Sequence, residues 1–374
     1  MTRSKRHFRV IGLATRCPNL RALFAVCFSV SALIGWNLLA GGESPCTILV
    51  GPGESIQAAV DRAAPSTVIC LAAGVYHESI RISKSVILRG AGDGAPETTL
   101  VSGRYATSTV AVVASDSPTP CEVQLEHLSM GSESPGKNCT VVLLIGSCSV
   151  ALSDCIVLPS RGVGIQTGGS AIAVIERTVV TEQLGYAGAY FGGSSRVTVR
   201  DCQITGNPEG NVEVTGSAVA VVEDSLISGP EEGFWITDSA TVTVNRCQVN
   251  ENGIHGLAIG GHAQVVVSDC TVSRNGRYGI SVYGHATATV RDSKVTENRV
   301  GGISIGEEAR AELVRNTVQR NKGWGVVWQR EGVLGNRITG CGNTIGDVSG
   351  PLGNEDGAVY PAELLTLKRA CASS

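Results

Sequence analysis

Residues 242–264 read VTVNRCQVNENGIHGLAIGGHAQ, residues 265–287 VVVSDCTVSRNGRYGISVYGHAT, residues 288–310 ATVRDSKVTENRVGGISIGEEAR and residues 311–329 AELVRNTVQRNKGWGVVWQ. Stacked on one another they align without a gap at a period of 23 residues. Val242, Val265, Ala288 and Ala311 open the units, and five residues on come Cys247, Cys270, Ser293 and Asn316. Asn252, Asn275, Asn298 and Asn321 follow five residues later. Gly256, Gly279, Gly302 and Gly325 then lead into apolar alternations such as Ile280-Ser281-Val282. Self-similarity at such a period marks a solenoid, in which each unit buries its apolar side against the next.

Each unit reads as three short strands of period-two alternation, separated by turns where Asn or Gly supplies unusual backbone angles. Three strands per circuit make a coil. Equivalent strands of successive coils pair in parallel about 4.8 Å apart, so like residues stack into columns. An Asn column can satisfy backbone groups at the turn through its amide. The expected fold class is all-β, a single-stranded right-handed parallel β-helix. Looser units open at Val219, Val197, Ile172, Val150 and Val123, with Cys202 and Cys155 at the inward position of Cys247, which makes about nine to ten coils. After Asn316 the next match is Asn336, so the register loosens toward the C-terminus.

An open β-helix would present unpaired backbone groups and an apolar layer at its end, so a cap is needed. Residues 54–64 fit one, with Ile56, Ala59, Val60 and Ala63 on one helical stripe between Gly53 and Pro65. The organisation expected is an export segment over 1–42, a β-helix over 43–350 whose residues 43–105 form the cap and first coils, and a tail over 351–374. A short helix is expected around Leu364 to Lys368.

The 47 glycines against 5 Phe, 7 Tyr and 4 Trp leave Val, Ile, Leu and Ala to fill the interior in thin layers. Arg3, Lys5, Arg6, Arg9, Arg16 and Arg21 precede an almost wholly apolar stretch over 22–40, the pattern of an export signal. Ala40-Gly41-Gly42 suits signal peptidase, while the apolar stretch is also long enough for a retained membrane anchor. The location expected is secreted, periplasmic or at the cell surface, with membrane contact only through this segment. Without residues 1–42, which hold six of the 30 basic residues and none of the 33 acids, the balance is 24 against 33, or minus nine. That speaks against a nucleic-acid partner. Eleven of the thirteen cysteines lie beyond the signal, and an odd number cannot all pair internally. Cys46 and Cys70 could be bridged, whereas those at the inward repeat position read as buried thiols.

Three stretches, Val50-Gly-Pro-Gly-Glu-Ser-Ile-Gln-Ala-Ala-Val60, Val68-Ile-Cys-Leu-Ala-Ala-Gly-Val-Tyr76 and Ser85-Val-Ile-Leu-Arg-Gly90, together resemble the opening of pectin lyase-like right-handed β-helix proteins. The later units resemble the parallel β-helix repeats of the same superfamily, and the resemblance covers about residues 46–345. It implies the fold and a groove along one strand face that takes extended polysaccharide. It does not imply one activity, since the superfamily holds lyases, hydrolases, esterases, epimerases, tailspikes, adhesins and noncatalytic surface proteins. The Asp-Asp and Gly-His-Gly of polygalacturonase-like hydrolases and the Asp-Pro-His of alginate epimerase-like proteins do not occur. Trp235-Ile236-Thr237-Asp238 resembles the Trp-Ile-Asp-His of pectate lyases but lacks the His. Gly210-Asn211-Val212-Glu213 resembles the Gly-x-Val-Asp of pectin methylesterases but lacks their Gln-Asp. The repeat itself produces such strings.

The turn before the Gly of each coil carries Glu209, Glu231 and Glu232, His255, Arg277 and Tyr278, then Trp324. Register places these on one edge, where Glu209, Glu232, His255 and Arg277 are the candidate catalytic groups. Paired carboxylates serve glycoside hydrolysis, in a retaining or an inverting sense according to their separation. Glu231, Trp235, Tyr278, Tyr283 and Trp324 are the candidate sugar contacts, flat rings foremost. The competing reading is that charged turns keep a β-helix soluble and block lateral association. His262 and His285 stand one repeat apart and two imidazoles can hold a metal, but Ser239 and Glu308 break that column. Asp93 and Asp116 could bind calcium, or simply turn the chain. No metal and no cofactor are therefore expected. The leading functional expectation is a noncatalytic protein presenting a face to polysaccharide or cell-surface glycan; a polysaccharide lyase or glycoside hydrolase, and a structural or adhesive spacer, are the alternatives.

Overall fold

A computed structural model describes residues 44–92, 96–104, 106–113, 121–136, 138–329, 338–346, 352–354 and 367–371. The export segment, Asp93, Asp116 and Asn336 lie outside the described residues. Three parallel sheets run the length of the molecule: sheet I has thirteen strands from Ile48–Val50 to Ile338–Cys341, sheet II twelve from Gly74–Tyr76 to Thr344–Gly346, and sheet III twelve from Ile80–Ile82 to Leu352–Asn354. Each circuit visits them in turn, as in Thr241–Asn245, Gln248–Asn250 and Leu257–Ile259. There are thus about twelve coils rather than nine or ten. The extra ones lie toward the N-terminus, where the corners carry no Asn and the returns are longer: paired Arg89 and Glu126 are 37 residues apart.

Columns form as the period requires. Val242 pairs Val265, Val265 pairs Ala288, and Ala288 pairs Ala311. The inward side of each strand is buried, and Phe191 and Phe234 are the largest fully enclosed side chains. Asn252, Asn275, Asn298 and Asn321 form one column at the corner after sheet II. The backbone N–H of Asn252, Asn275 and Asn298 donates to the Oδ1 of the next Asn at 3.0–3.1 Å. Each Nδ2 adds a second bond to that same oxygen at 2.8–2.9 Å. The left-handed backbone belongs not to these Asn, as the repeat suggested, but to the charged residue before each: Glu251, Arg274, Glu297 and Arg320 have φ of 55–61°. Such a turn aims the next N–H into the corner, where a side-chain acceptor must meet it.

The same device operates one corner earlier. Cys270 N–H donates to Ser293 Oγ, Ser293 N–H to Asn316 Oδ1, and Asn316 N–H to Asn343 Oδ1. Asn343, 27 residues beyond Asn316, thus continues this column rather than Asn336. Below it the closing segment takes over, with Asn343 Nδ2 donating to the Leu367 carbonyl and Cys341 bridged to Cys371. Of the expected terminal helix, Leu367 and Lys368 are described, in a single 3₁₀ turn, and 364–366 lie outside the described residues.

At the other end helix α1, Ile56–Arg62, lays Ile56, Ala59 and Val60 on the first layer. Ser55 caps it through Ala58 N–H, and the Glu78 carboxylate takes the N–H groups of Ile56 and Gln57. Cys46 and Cys70 are bridged, and Cys121, Cys139, Cys148, Cys155, Cys202, Cys247 and Cys270 are buried thiols.

Candidate functional site

Sheet III carries the candidate site on its outer face. Between the inward residues Val212 and Val214 stands Glu213, in register with Tyr190 on one side and Trp235 on the other. Ala258, Ser281 and Ser304 continue this outward row, so bulk gives way to a floor of small side chains. One wall is the turn that enters sheet III. Its column runs Glu232, His255, Tyr278, because Gly233 N–H donates to the His255 carbonyl and Gly256 N–H to that of Tyr278. Arg277 belongs to the adjoining column with Ile254 and Glu231, joined by the Arg277 and Ile254 N–H groups. The opposite wall is the turn that leaves the sheet, with Tyr283 and Glu307.

These elements enclose a cleft of about 350 Å³ that brings together Glu232, Trp235, His255, Arg277, Tyr278 and Tyr283. Glu209 lines an adjoining narrow notch with Tyr186, Glu213, Glu232 and Trp235. Two of the expected contacts fall elsewhere. Glu231 lies beside the wall but outside both hollows, and Trp324 follows Tyr278 in the column only after Gly301, beyond the cleft. Tyr278 is 6 % exposed and stacks parallel on His255 with centroids 6.0 Å apart, so it supports the imidazole more than it offers a platform.

Absent side chains make room for the rings. A Cβ on Gly260 would sit 2.4 Å from the Tyr283 ring, one on Gly192 2.7 Å from that of Tyr190, and one on Gly301 2.9 Å from that of Tyr278. Trp235, 43 % exposed, shares the cleft with Tyr283, whose hydroxyl burial pushes above its ordinary value. Aromatic faces thereby line the floor and one wall of the cleft, with backbone packed closely against the tyrosine rings.

The electrostatics centre on Glu213, which the spacing of the repeat does not single out. Only 7 % of it is exposed, although an outward strand position usually meets solvent. Burial pushes its carboxyl up to about 7, Asp238 pushes the same way, and a 3.2 Å bond from the Tyr186 hydroxyl offsets part of the rise. Burial and the Glu213 charge raise Tyr186 and Tyr190 as well. Asp238, at the exit turn, is held below the usual carboxylate range by bonds from Thr215 Oγ1 and Gly216 N–H. Glu232 Oε1 lies 3.5 Å from His255 Nδ1, without the geometry of a hydrogen bond, and that buried nitrogen has no hydrogen-bond partner. The signal for Glu213 was present in Gly210-Asn211-Val212-Glu213, but only register with Tyr190 and Trp235 reveals its enclosure.

His262 and His285 do stack, with ring centroids 5.0 Å apart, and His285 Nδ1 is 3.6 Å from Glu308 Oε2. Among the described residues no group of three or more His, Cys, Asp or Glu is placed to hold a metal. A second hollow of about 470 Å³, lined by Arg104, Glu133, Arg161 and Glu182 among others, contains no aromatic ring.

Known proteins share this architecture. No curated protein matches the chain. Among solved structures, the A-module of the Azotobacter vinelandii mannuronan C-5 epimerase AlgE4 is 14% identical with a TM-score of 0.66, the match covering 85% of this chain and 95% of that one. The periplasmic alginate epimerase AlgG is 13% identical with a TM-score of 0.57 over 82% of each chain. The Dettilon tailspike protein is 12% identical with a TM-score of 0.61, over 82% of this chain and 68% of that one. At these identities the likeness is one of fold. The family model described as right handed beta helix region matches residues 140–295 and 259–351, more than half of the sequence. The chain belongs to the right-handed β-helix family.

Proposed function

We propose that the protein acts outside the cytoplasm and holds an extended polysaccharide along the outer face of sheet III. The observation that carries this reading is Trp235, a large ring left 43 % exposed in the cleft that Tyr278 and Tyr283 also line. Isolated exposed aromatics are ordinary, but rings gathered in one cleft mark a ligand surface. A polymer laid along the coil axis would meet an equivalent position every ~4.8 Å, which suits a ligand that is itself a repeat. Two of the similar folds are epimerases of mannuronan and of alginate. Two disulfides, and a basic then apolar N-terminal stretch, support an oxidising location and export.

Affinity electrophoresis through gels containing β-glucan, xylan, galactomannan, alginate or polygalacturonate tests the groove. Retardation is expected in at least one, and Trp235→Ala should weaken it by about tenfold, the order of one desolvated aromatic contact. Arg246→Ala, on the corner between sheets I and II, should leave it unchanged. Free migration in every gel, or equal retardation of the tryptophan variant, would favour a spacer with no ligand.

A further inference from the structure

The groove holds a charge pattern unlike one built for a polyanion. Glu209, Glu232 and Glu307 line the cleft and its notch, against Arg277 and His255. A polyuronate would bring a carboxylate per sugar against these, and like charges brought together reject a ligand. A neutral glycan meets no such penalty, and its hydroxyls can donate to the same oxygens.

Within this groove Glu213 and Glu232 differ in setting. Glu213 is enclosed on an outward strand position by Tyr186, Tyr190 and Trp235, with Oε1 accepting from Tyr186 at 3.2 Å. Glu232 stands one coil on, on the wall of the same notch, better solvated and beside the buried, unbonded Nδ1 of His255. Two carboxyl groups on one narrow notch that adjoins the cleft at Glu232 and Trp235, one nearly enclosed and the other partly exposed, is an arrangement that can separate a proton donor from a proton acceptor.

We propose that this is a glycoside hydrolase site for a neutral glycan, in which Glu213 protonates the glycosidic oxygen and Glu232 takes a proton from the attacking water. The reading rests on the polysaccharide groove proposed above. The bond from the anomeric carbon to the glycosidic oxygen breaks with its electron pair on that oxygen, which receives the Glu213 proton. The water oxygen bonds to the anomeric carbon and its proton passes to Glu232. Solvent returns a proton from Glu232 to Glu213, so one water is consumed and both carboxyls are restored. Burial supports the assignment, because it keeps Glu213 protonated up to about pH 7.

The test is release of reducing ends by the full chain from β-glucan, xylan and galactomannan, with alginate and polygalacturonate in parallel. At least one neutral glycan should be cut, neither polyuronate should be, and kcat/KM should fall as pH rises above about 7. The isosteric Glu213→Gln should lower kcat by at least about a hundredfold while leaving gel retardation within about threefold. Glu213→Asp, which keeps the proton on a shorter arm, should recover part of the rate. Retardation by a neutral glycan without reducing ends overturns the hydrolase while the groove stands. Cleavage of a polyuronate, an unsaturated ultraviolet-absorbing product, or an unimpaired Glu213→Gln overturns it too. Free migration in every gel removes both readings.

Discussion

Glu213 carries a cost that the rest of the outward row does not. Its carboxyl titrates near 4.5 in an unfolded chain and near 7 when folded, so between those values the native state binds the extra proton. Stability then falls as pH rises, because the unfolded state releases the proton first. The full contribution is present below about 4.5 and is gone above about 7, a difference of about 3 kcal/mol at most. Glu213→Gln keeps the shape and removes the charge. Urea unfolding should therefore show the variant more stable than the wild type at pH 8 by up to about that amount, with the two converging near pH 4.5. Equal stability at both pH values would mean that the carboxyl is solvated. A substitution that stabilises the fold yet abolishes activity is the mark of a residue kept for function. In the sequence Glu213 looked like any solvated strand charge. What distinguishes it is Tyr186, 27 residues away, together with rings on the coils either side, and only the paired register brings these over it.

The coil is the next scale, and its legible part was the stretch where both corners repeat. Asn252 to Asn321 announced themselves because one physical need, an acceptor for an inward N–H, recurs every 23 residues. Elsewhere the same need is met irregularly. Gly229 leaves the corner empty, and Asn211 reaches into it, its Nδ2 2.7 Å from where a Cβ would stand and donating to Asn252 Oδ1. Asn211 falls off the period and so escapes a search by spacing. The glycines are legible for a related reason: Gly256, Gly279 and Gly302 pack directly on the next Asn of the column. A Cβ on Gly279 would lie 2.6 Å from Val295 Cγ1 and 2.7 Å from Asn298 Nδ2. Neither can retreat, since Val295 fills the core and Asn298 is bonded on both sides. Gly279→Ala is expected to cost about 2 kcal/mol or more, as overpacking does, read as a fall in the urea midpoint. Gly103→Ala, with nothing within 4 Å of the new methyl, should change the midpoint little. Similar losses at both positions would refute the packing of the Gly column on the Asn column.

Among the described residues each strand pairs only with those of the neighbouring coils, so stability approximates a sum of coils and interfaces, and the ends, with one neighbour each, are the weak points. The positions of the two disulfides answer that weakness. Cys46–Cys70 ties the residues just before the first strand of sheet I to the second strand, and Cys341–Cys371 ties the last strand to the segment that closes the base. They close loops of 24 and 30 residues, for which the loss of unfolded-chain entropy is worth about 3.5 kcal/mol each. The seven interior thiols need no such bond, being held by coils above and below. At the base the dependence is direct, because Asn343 passes the inner column to the Leu367 carbonyl and Gly342 N–H donates to the Arg369 carbonyl. Opening Cys341–Cys371 should let residues 367–371 leave and expose Asn343, after which Asn316 loses its acceptor in turn. Hydrogen exchange after reduction, or in Cys341→Ser, should therefore show protection lost first over 338–346, then over 311–319, with the coils of 242–296 unchanged. Loss spread evenly from 242 to 346 would mean that the coils unfold as one unit, and that the closing segment adds nothing local to the base.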